Sequence, residues 1–133
     1  EVIVNAGAHT AVDKAESEPE LAQVLTAPIV EAIAKAANQT GAWVVHYSTD
    51  YVFPGTGAIP WQEPDATSPL NVYGKTKLAG GTALHDNSPK HLIFRPSRVY
   101  AGKGNNFPNT MLHLAKKRHT PLILKVPHGR TNH

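Results

Sequence analysis

The sequence predicts an α/β protein built on an open parallel sheet. Short, largely apolar runs at residues 2–4, 43–47 and 91–95 alternate with segments long enough to form helices. Alternation at this spacing is typical of parallel strands joined by right-handed crossovers. A length of 133 residues, with 41% hydrophobic and 17% charged residues, fits one globular domain with a core of its own.

The first part of the chain predicts one strand, a loop and one long helix. Residues 2–4 are all β-branched and apolar, and we expect a buried parallel strand there. The charged stretch 13–20 predicts a loop. Apolar residues then recur on one side of a helix over residues 21–38, and Gly41 supplies its C-terminal cap. Pro28 is expected to kink or split this helix, at a local cost of roughly 3 kcal/mol.

The second part of the chain continues the alternation. Residues 43–47 predict another buried strand, and residues 53–70, rich in proline and glycine, predict a surface excursion of the kind that covers a substrate. A helix is expected over residues 72–84, weakened in its middle by Gly80 and Gly81. The remaining predicted elements are a turn at 86–89, a strand at 91–95, a helix at 108–118, a strand at 122–126 and a polar tail at 127–133.

Charge and composition argue against several classes of function. The net charge is +3, and the one basic run, residues 116–118, is expected to complement a helix dipole rather than bind nucleic acid. No apolar run approaches the roughly 18 residues of a membrane helix. The lack of cysteine excludes disulfides and thiolate metal sites and favours a cytoplasmic protein. The eight histidines lack metal-binding spacings, so no metal site is expected.

A candidate proton-transfer site lies between the strand at 43–47 and the helix at 72–84. Tyr73 and Lys77 are four residues apart, which on a helix places both on one face. An ammonium about 5 Å from a phenol, at an effective dielectric constant of about 20, favours the phenolate by roughly 3 kcal/mol, or about two pKa units. This spacing alone is more typical of an exposed helix. Thr49 at the strand's end favours the site, because its hydroxyl would bind a carbonyl oxygen while Tyr73 transfers the proton.

Other polar residues near this sheet edge leave alternatives open. Asp50 is either a substrate contact or the cap of a turn. His9 and His46 either touch a ligand or are structural histidines, and residues 5–10 either admit a flat ligand or form a tight turn. Gly102 and Gly104, which precede a predicted helix, are a weak anion-binding signal. Because the chain opens directly on an apolar strand, we expect it to be a piece of a longer domain.

Four stretches of sequence together resemble one family. They are VIVNA at 2–6, AHTAVDKAE at 8–16, HYSTDYVF at 46–53 and PLNVYGKTKLAG at 69–80. From residue 1 to about residue 118 the chain closely resembles the dTDP-4-dehydrorhamnose reductases, which are extended short-chain dehydrogenases/reductases. The resemblance implies that residues 1–126 are the central part of an NAD(P)-binding, Rossmann-like, doubly wound parallel sheet without its N-terminal glycine-rich βα unit.

The resemblance also implies an activity and a role for each site residue. The family reduces the 4-keto group of dTDP-4-dehydro-6-deoxy-L-mannose to give dTDP-L-rhamnose for O-antigen and other cell-surface polysaccharides. NADPH is the preferred hydride donor, with NADH as a second donor, and full-length members can form homodimers. By its position Tyr73 is the proton donor, Lys77 holds the nicotinamide ribose and lowers the tyrosine pKa, and Thr49 assists the carbonyl. The implied cofactor positions are Ala8, His9, Thr10, Tyr73 and Lys77, and the implied sugar positions are Thr49, Asp50 and Arg98.

Several positions depart from the family pattern. Arg98 stands where the family usually has a tryptophan, Gly81 replaces a glutamate, and Pro28 lies within a usual helix. The glycine-rich fingerprint is not among the 133 residues, so the chain by itself is expected to be inactive or nearly so. One alternative is a non-catalytic binding module resembling the regulatory subunit of methionine adenosyltransferase. Another is a related epimerase or dehydratase, although dehydratases need an acidic pair and Thr49-Asp50 supplies one carboxylate.

Overall fold

The structure is a computed structural model, and it describes residues 1–7, 12–56, 59–97, 99–104 and 106–117, apart from the side chains of Asp13, Leu21, Val24 and Leu25. Its elements in chain order are β1 (Val2–Asn5), α1 (Val12–Ser17), α2 (Pro19–Thr40), β2 (Trp43–Tyr47), a 3₁₀ turn (Asp50–Val52), α3 (Val72–Asn87), β3 (His91–Phe94) and α4 (Phe107–Lys117). The strands form one parallel sheet in the order β1-β2-β3. The predicted α/β class with an open parallel sheet is confirmed.

The sheet register brings the three carboxyl strand ends to one edge. Val2 lies opposite Trp43 and Asn5 opposite His46, while Tyr47 lies opposite Phe94. The crossover from β1 to β2 contains α1 and α2, and the crossover from β2 to β3 contains α3. The segments that follow β1, β2 and β3 therefore leave the sheet side by side, as they do in open α/β sheets that bind ligands at this edge.

The hydrophobic core lies between the sheet and the pair of helices α2 and α3. Its buried members are Val30, Ala34, Ala37, Ala42, Val44 and Leu84, with Ile3, Ile33 and Ile93 packed against them. Small residues bring the two helices close together, and a Cβ built on Gly80 would lie 3.3 Å from Thr26 Cγ2. The glycine that was expected to weaken the helix is the residue that allows this close packing.

The opposite face of the sheet is open in the part of the chain that the structure describes. Val2 is 63% exposed, Trp43 46% and Phe94 49%, and Val4, Tyr47 and Leu92 are exposed beside them. The prediction that residues 2–4 and 43–47 are fully buried strands is therefore wrong for alternate side chains. The reason is that α2 and α3 cover one face only, and the amphipathic helix α4 has no buried residue.

Two helices differ from the sequence-based prediction. The stretch 13–20, expected to be a loop, is mostly helical, with α1 ending at Ser17 and α2 beginning at Pro19. Pro19 occupies the first turn of α2, where its missing N–H has no intrahelical partner to lose. Pro28 does not split α2, which continues to Thr40. Packing of Ala22, Val30 and Ala34 on both sides of the proline outweighs the one missing hydrogen bond.

The other element ends lie close to their predicted positions. Gly41 adopts a left-handed conformation (φ 71°) at the C-terminus of α2, as predicted, and its backbone N–H lies 3.4 Å from the Asn38 carbonyl oxygen. Helix α3 runs three residues past Leu84, and Asn87 Nδ2 donates to the Ala83 carbonyl in its last turn. The predicted strand at 122–126 and the tail at 127–133 lie outside the described residues. No helix in the described ranges is both long and apolar enough to cross a membrane.

Candidate functional site

Thr49 is held at the carboxyl end of β2 by backbone hydrogen bonds and a tight turn. The Ser48 N–H donates to the Phe94 carbonyl at 2.7 Å and anchors the chain as it leaves the strand. Thr49 caps the 3₁₀ turn in an extended conformation, and its Oγ1 accepts from the Tyr51 N–H at 3.3 Å. The Thr49 side chain is buried. Its hydroxyl is therefore fixed in place at the sheet edge.

The N-terminus of α3 is pressed against this turn. Asn71 is the N-cap, and its Oδ1 accepts from the Gly74 N–H at 2.7 Å. The carboxylate of Glu16, from the end of α1, accepts from the Val72 N–H, also at 2.7 Å. A Cβ built on Gly74 would lie 2.3 Å from the Tyr51 carbonyl oxygen, so no larger residue fits without movement. This contact sets how closely the first turn of α3 approaches Thr49.

Tyr73 lies beside Thr49 as the sequence predicts. A hydrogen bond with the Thr49 hydroxyl lowers the Tyr73 pKa, but burial raises it more, and Asp50 and Tyr51 raise it further. The Tyr51 and Tyr73 rings meet edge to face with centroids 5.8 Å apart. Thr49 Oγ1 also donates to the Asp50 carboxylate at 3.1 Å. The net shift of the Tyr73 pKa is upward.

Lys77 also lies at the end of β2, where its hydrogen-bond partner is the Tyr47 carbonyl and not the Tyr73 phenol. Its side chain is 2% exposed, and Nζ donates a short hydrogen bond to the Tyr47 carbonyl at the end of β2. Burial lowers the Lys77 pKa. Burial dominates the shift of the Tyr73 pKa in this structure, so the expected lowering of the phenol pKa by the Lys77 ammonium stays a prediction.

Asn5 and His46 form a second polar layer beneath this edge. Asn5 Nδ2 lies 3.1 Å from His46 Nδ1, and His46 is fully buried. Of the two alternatives for His46, the structure favours a structural histidine. Asn5 was missed as a partner, although its position at the strand end, in register with His46, was the available signal.

Of the other predicted site residues, only Asp50 lies in the part of the chain that the structure describes. Ala8, His9, Thr10 and Arg98 lie outside the described residues. Asp50 is half-buried and accepts from Thr49, so the structure gives it a turn contact and leaves its role at a sugar as a prediction. Across the described ranges no group of three or more His, Asp or Glu side chains converges as a metal site would require.

Comparison with known proteins identifies the family. The sequence profile of the RmlD substrate binding domain matches residues 1–130. This chain belongs to that family. It is 78% identical over 129 residues to the dTDP-4-dehydrorhamnose reductase of Salmonella typhimurium, a match that covers 97% of this chain and 43% of that protein. The chain therefore spans about two fifths of the length of this family relative.

Solved structures of family members have the same fold. The dTDP-4-dehydrorhamnose reductase of Clostridium acetobutylicum aligns with a TM-score of 0.83 and 43% identity, over 87% of this chain and 41% of that one. The reductase of Bacillus anthracis, solved in complex with NADP, aligns with a TM-score of 0.85 and 39% identity, over 88% and 42%. The Rossmann-like fold implied by the sequence resemblance is thereby confirmed for the described part of this family member.

Proposed function

We propose that this chain carries the catalytic centre of an NADPH-dependent reductase. The reaction is reduction of the 4-keto group of dTDP-4-dehydro-6-deoxy-L-mannose to the hydroxyl of dTDP-L-rhamnose. One observation carries the proposal: Thr49, Tyr73 and buried Lys77 meet at the carboxyl edge of the sheet, where the Thr49 hydroxyl lowers the Tyr73 pKa and Lys77 binds the Tyr47 carbonyl. The dTDP-4-dehydrorhamnose reductases named above supply the substrate class. Those reductases are more than twice as long as this chain. The proposal therefore concerns this chain as the matching segment of a full-length reductase.

The residues at this edge suit a nicotinamide riboside. Lys77 Nζ makes one hydrogen bond among the described residues, to Tyr47, so two of its N–H groups remain for a ribose diol. We propose that Tyr73 and Lys77 face the nicotinamide end and that Ala8, His9 and Thr10 line the same cofactor. NADPH, when bound, supplies the hydride that reaches the carbonyl carbon. The NADP in the Bacillus anthracis reductase supports this choice, and NADH stays a second donor.

The proposed chemistry of the chain's own groups is proton delivery. As hydride adds to the carbonyl carbon, the π electron pair of C=O moves to oxygen, which takes the proton of the Tyr73 hydroxyl. Burial raises the Tyr73 pKa, which keeps the phenol protonated at neutral pH and so available as an acid. Thr49 would turn its single O–H from the Asp50 carboxylate, to which it donates here, toward the same oxygen and orient it by a hydrogen bond. Lys77 would hold the ribose and so align the two reacting atoms.

The remaining parts of the proposal concern partners and place. We propose that Asp50 and Arg98 face the dTDP-sugar, the first from the turn after β2 and the second from the segment after β3. A homodimer of the full-length protein, the lack of a nucleic-acid partner and a cytoplasmic location stay predictions. The lack of cysteine and the scattered basic residues favour the last two.

The experiment uses a chimera and the isolated chain in parallel. In the chimera, this chain replaces the matching 129-residue segment of the Salmonella typhimurium reductase. NADPH oxidation with dTDP-4-dehydro-6-deoxy-L-mannose is followed at 340 nm. Loss of a general acid costs about 10²–10⁴-fold in rate, so Tyr73→Phe is expected to lower kcat by that factor. The matched control is Tyr100→Phe, because Tyr100 is exposed and the variant makes the same chemical change away from Thr49 and Lys77 in the sequence.

Three outcomes separate the alternatives. Turnover in the chimera that survives Tyr73→Phe would exclude the assigned acid. A folded chimera with no turnover and no nucleotide-sugar binding would favour the non-catalytic binding module. The isolated 133-residue chain contains no G-x-x-G-x-x-G loop for the pyrophosphate, so we expect it to turn over far more slowly than the chimera. Equal rates would contradict that expectation.

A further inference from the structure

Asn5 and His46 face each other across β1 and β2, on the side of the sheet that the helices cover. They are register partners, and both side chains are buried. Asn5 Nδ2 lies 3.1 Å from His46 Nδ1, and Asn5 Oδ1 accepts from the Gly7 N–H at 3.1 Å. One amide side chain thus joins the interior of β2 to the loop that leaves β1.

The Asn5 amide determines which His46 nitrogen carries the proton. A backbone N–H needs an acceptor, so Gly7 fixes the Asn5 oxygen on its own side and leaves the NH₂ group facing His46. His46 Nδ1 must then accept, and the ring proton lies on Nε2. His46 Nε2 is buried and has no hydrogen-bond partner among the described residues. It points toward the close contact of α2 and α3, 3.8 Å from a Cβ built on Gly80.

The protonation state of His46 is coupled to Lys77. Asn5 from β1 and Gly80 and Lys77 from α3 lie near the ring. Thr26 from α2 packs at the same point of Gly80, and Ile93 is the register partner of His46 in β3. Lys77 is the charged member of this set. Burial, and then the positive charge of Lys77, lower the His46 pKa to about 4. Lys77 donates to the carbonyl of Tyr47, which directly follows His46 in β2. The Lys77 ammonium is therefore bound one residue away from His46 along the strand.

We propose that Asn5 and His46 are a pair of positioning residues for Lys77, with Asn5 holding His46 as the neutral Nε2–H tautomer. An imidazolium at His46 would repel the Lys77 ammonium from the Tyr47 carbonyl. A proton on Nδ1 would break the Asn5 contact and release the Gly7 loop. The pair therefore keeps the Lys77 ammonium as the single cation at this edge. It also links the position of Lys77 to the loop after β1. This inference deepens the proposed function and rests on it only for the activity measurement.

Asn5→Asp reverses the hydrogen bond without changing the size of the side chain. The carboxylate still accepts from the Gly7 N–H, but its second oxygen now requires a donor at His46 Nδ1. An opposite charge within about 4–6 Å shifts a pKa by about 1–3 units, so the His46 pKa should rise by that amount. Asn38→Asp is the matched control, because it makes the same chemical change at an exposed position on α2.

The tautomer is read from ¹⁵N–¹H spectra of histidine-labelled protein, in the 133-residue chain and in the chimera. A His46→Gln variant identifies the His46 signals. We expect Nε2–H and a titration near pH 4 in the wild type, with no change in Asn38→Asp. Asn5→Asp should show Nδ1–H and titrate about 1–3 units higher. Wild-type His46 protonated on Nδ1, or an Asn5→Asp spectrum like that of the wild type, would overturn the inference whether or not the chimera is active.

Activity in the chimera tests the link to Lys77. In Asn5→Asp the acid limb of the kcat profile should move to higher pH by the same interval as the His46 titration. His46→Gln offers an amide oxygen to Asn5 and cannot become cationic, so it should remove the His46 contribution from that limb. A tautomer change without any change in the pH profile would refute the positioning role. An unchanged acid limb in His46→Gln would refute it as well, even if Asn5→Asp fails to fold.

Discussion

Replacing Gly74 by alanine tests how α3 is seated against the turn that carries Thr49. A Cβ at this position would lie 2.3 Å from the Tyr51 carbonyl oxygen, and 3.0 Å from both Asn71 Oδ1 and Pro69 Cβ. The nearest atom belongs to the backbone and cannot rotate away. The first turn of the helix must therefore move, and the hydrogen bond between Thr49 and Tyr73 moves with it.

The magnitude follows from comparison with Gly81 in the same helix. A Cβ on Gly81 meets Ile93 Cδ1 at 3.7 Å, an ordinary contact, so Gly81→Ala should gain about 0.5–1 kcal/mol from helix propensity. In Gly74→Ala the overpacking cost of about 1–3 kcal/mol exceeds that gain. Because both variants gain from helix propensity, we expect Gly74→Ala to be less stable than Gly81→Ala by the overpacking cost, about 1–3 kcal/mol.

Urea unfolding followed by circular dichroism measures this difference in the chain and in the chimera. With a slope of about 2 kcal/mol per M, the two midpoints should be separated by about 1 M. In the chimera, Gly74→Ala should also lower NADPH oxidation, while Gly81→Ala should not. Equal midpoints, or a higher midpoint for Gly74→Ala, would refute the claim that the contact between Gly74 and the Tyr51 carbonyl sets the position of α3.

Two further predictions concern buried charge and helix capping. The His46 pKa falls from 6.5 to about 4 on folding, so the native state binds fewer protons than the unfolded state between these pH values. The free energy of unfolding therefore has its full value above pH 6.5 and decreases by about 3 kcal/mol as the pH falls to 4. Urea titrations should show a loss smaller by that amount in His46→Gln, and an equal loss would contradict the shift. Asn71→Ala removes the cap on the Gly74 N–H and should cost about 1 kcal/mol. The matched variant is Asn106→Ala, since Asn106 caps α4 through the Asn109 N–H and α4 buries no residue. It should lower the free energy of unfolding by less than about 0.5 kcal/mol. Equal losses in the two variants would show that α4 is packed as firmly as α3.

The sequence by itself determined the three strands, the two long helices α2 and α3, and which residues are candidates for the site. Strand positions followed from short apolar runs, and the start of α3 at Val72 followed from the change of pattern after the proline-rich segment. Thr49 beside Tyr73 could be predicted because the carboxyl ends of parallel strands meet at one edge. These inferences depend on local periodicity and on connectivity, which one sequence contains.

The tertiary structure decided what depends on distances between segments far apart in the chain. Burial of Tyr73 raises its pKa against the expected effect of Lys77, whose ammonium is held by the Tyr47 carbonyl instead. Helix α2 continues through Pro28 because packing on both sides outweighs the lost hydrogen bond. The bond between Asn5 and His46 joins residues 41 positions apart. Desolvation and hydrogen-bond partners are set by neighbours in space, which residue spacing along the chain does not specify.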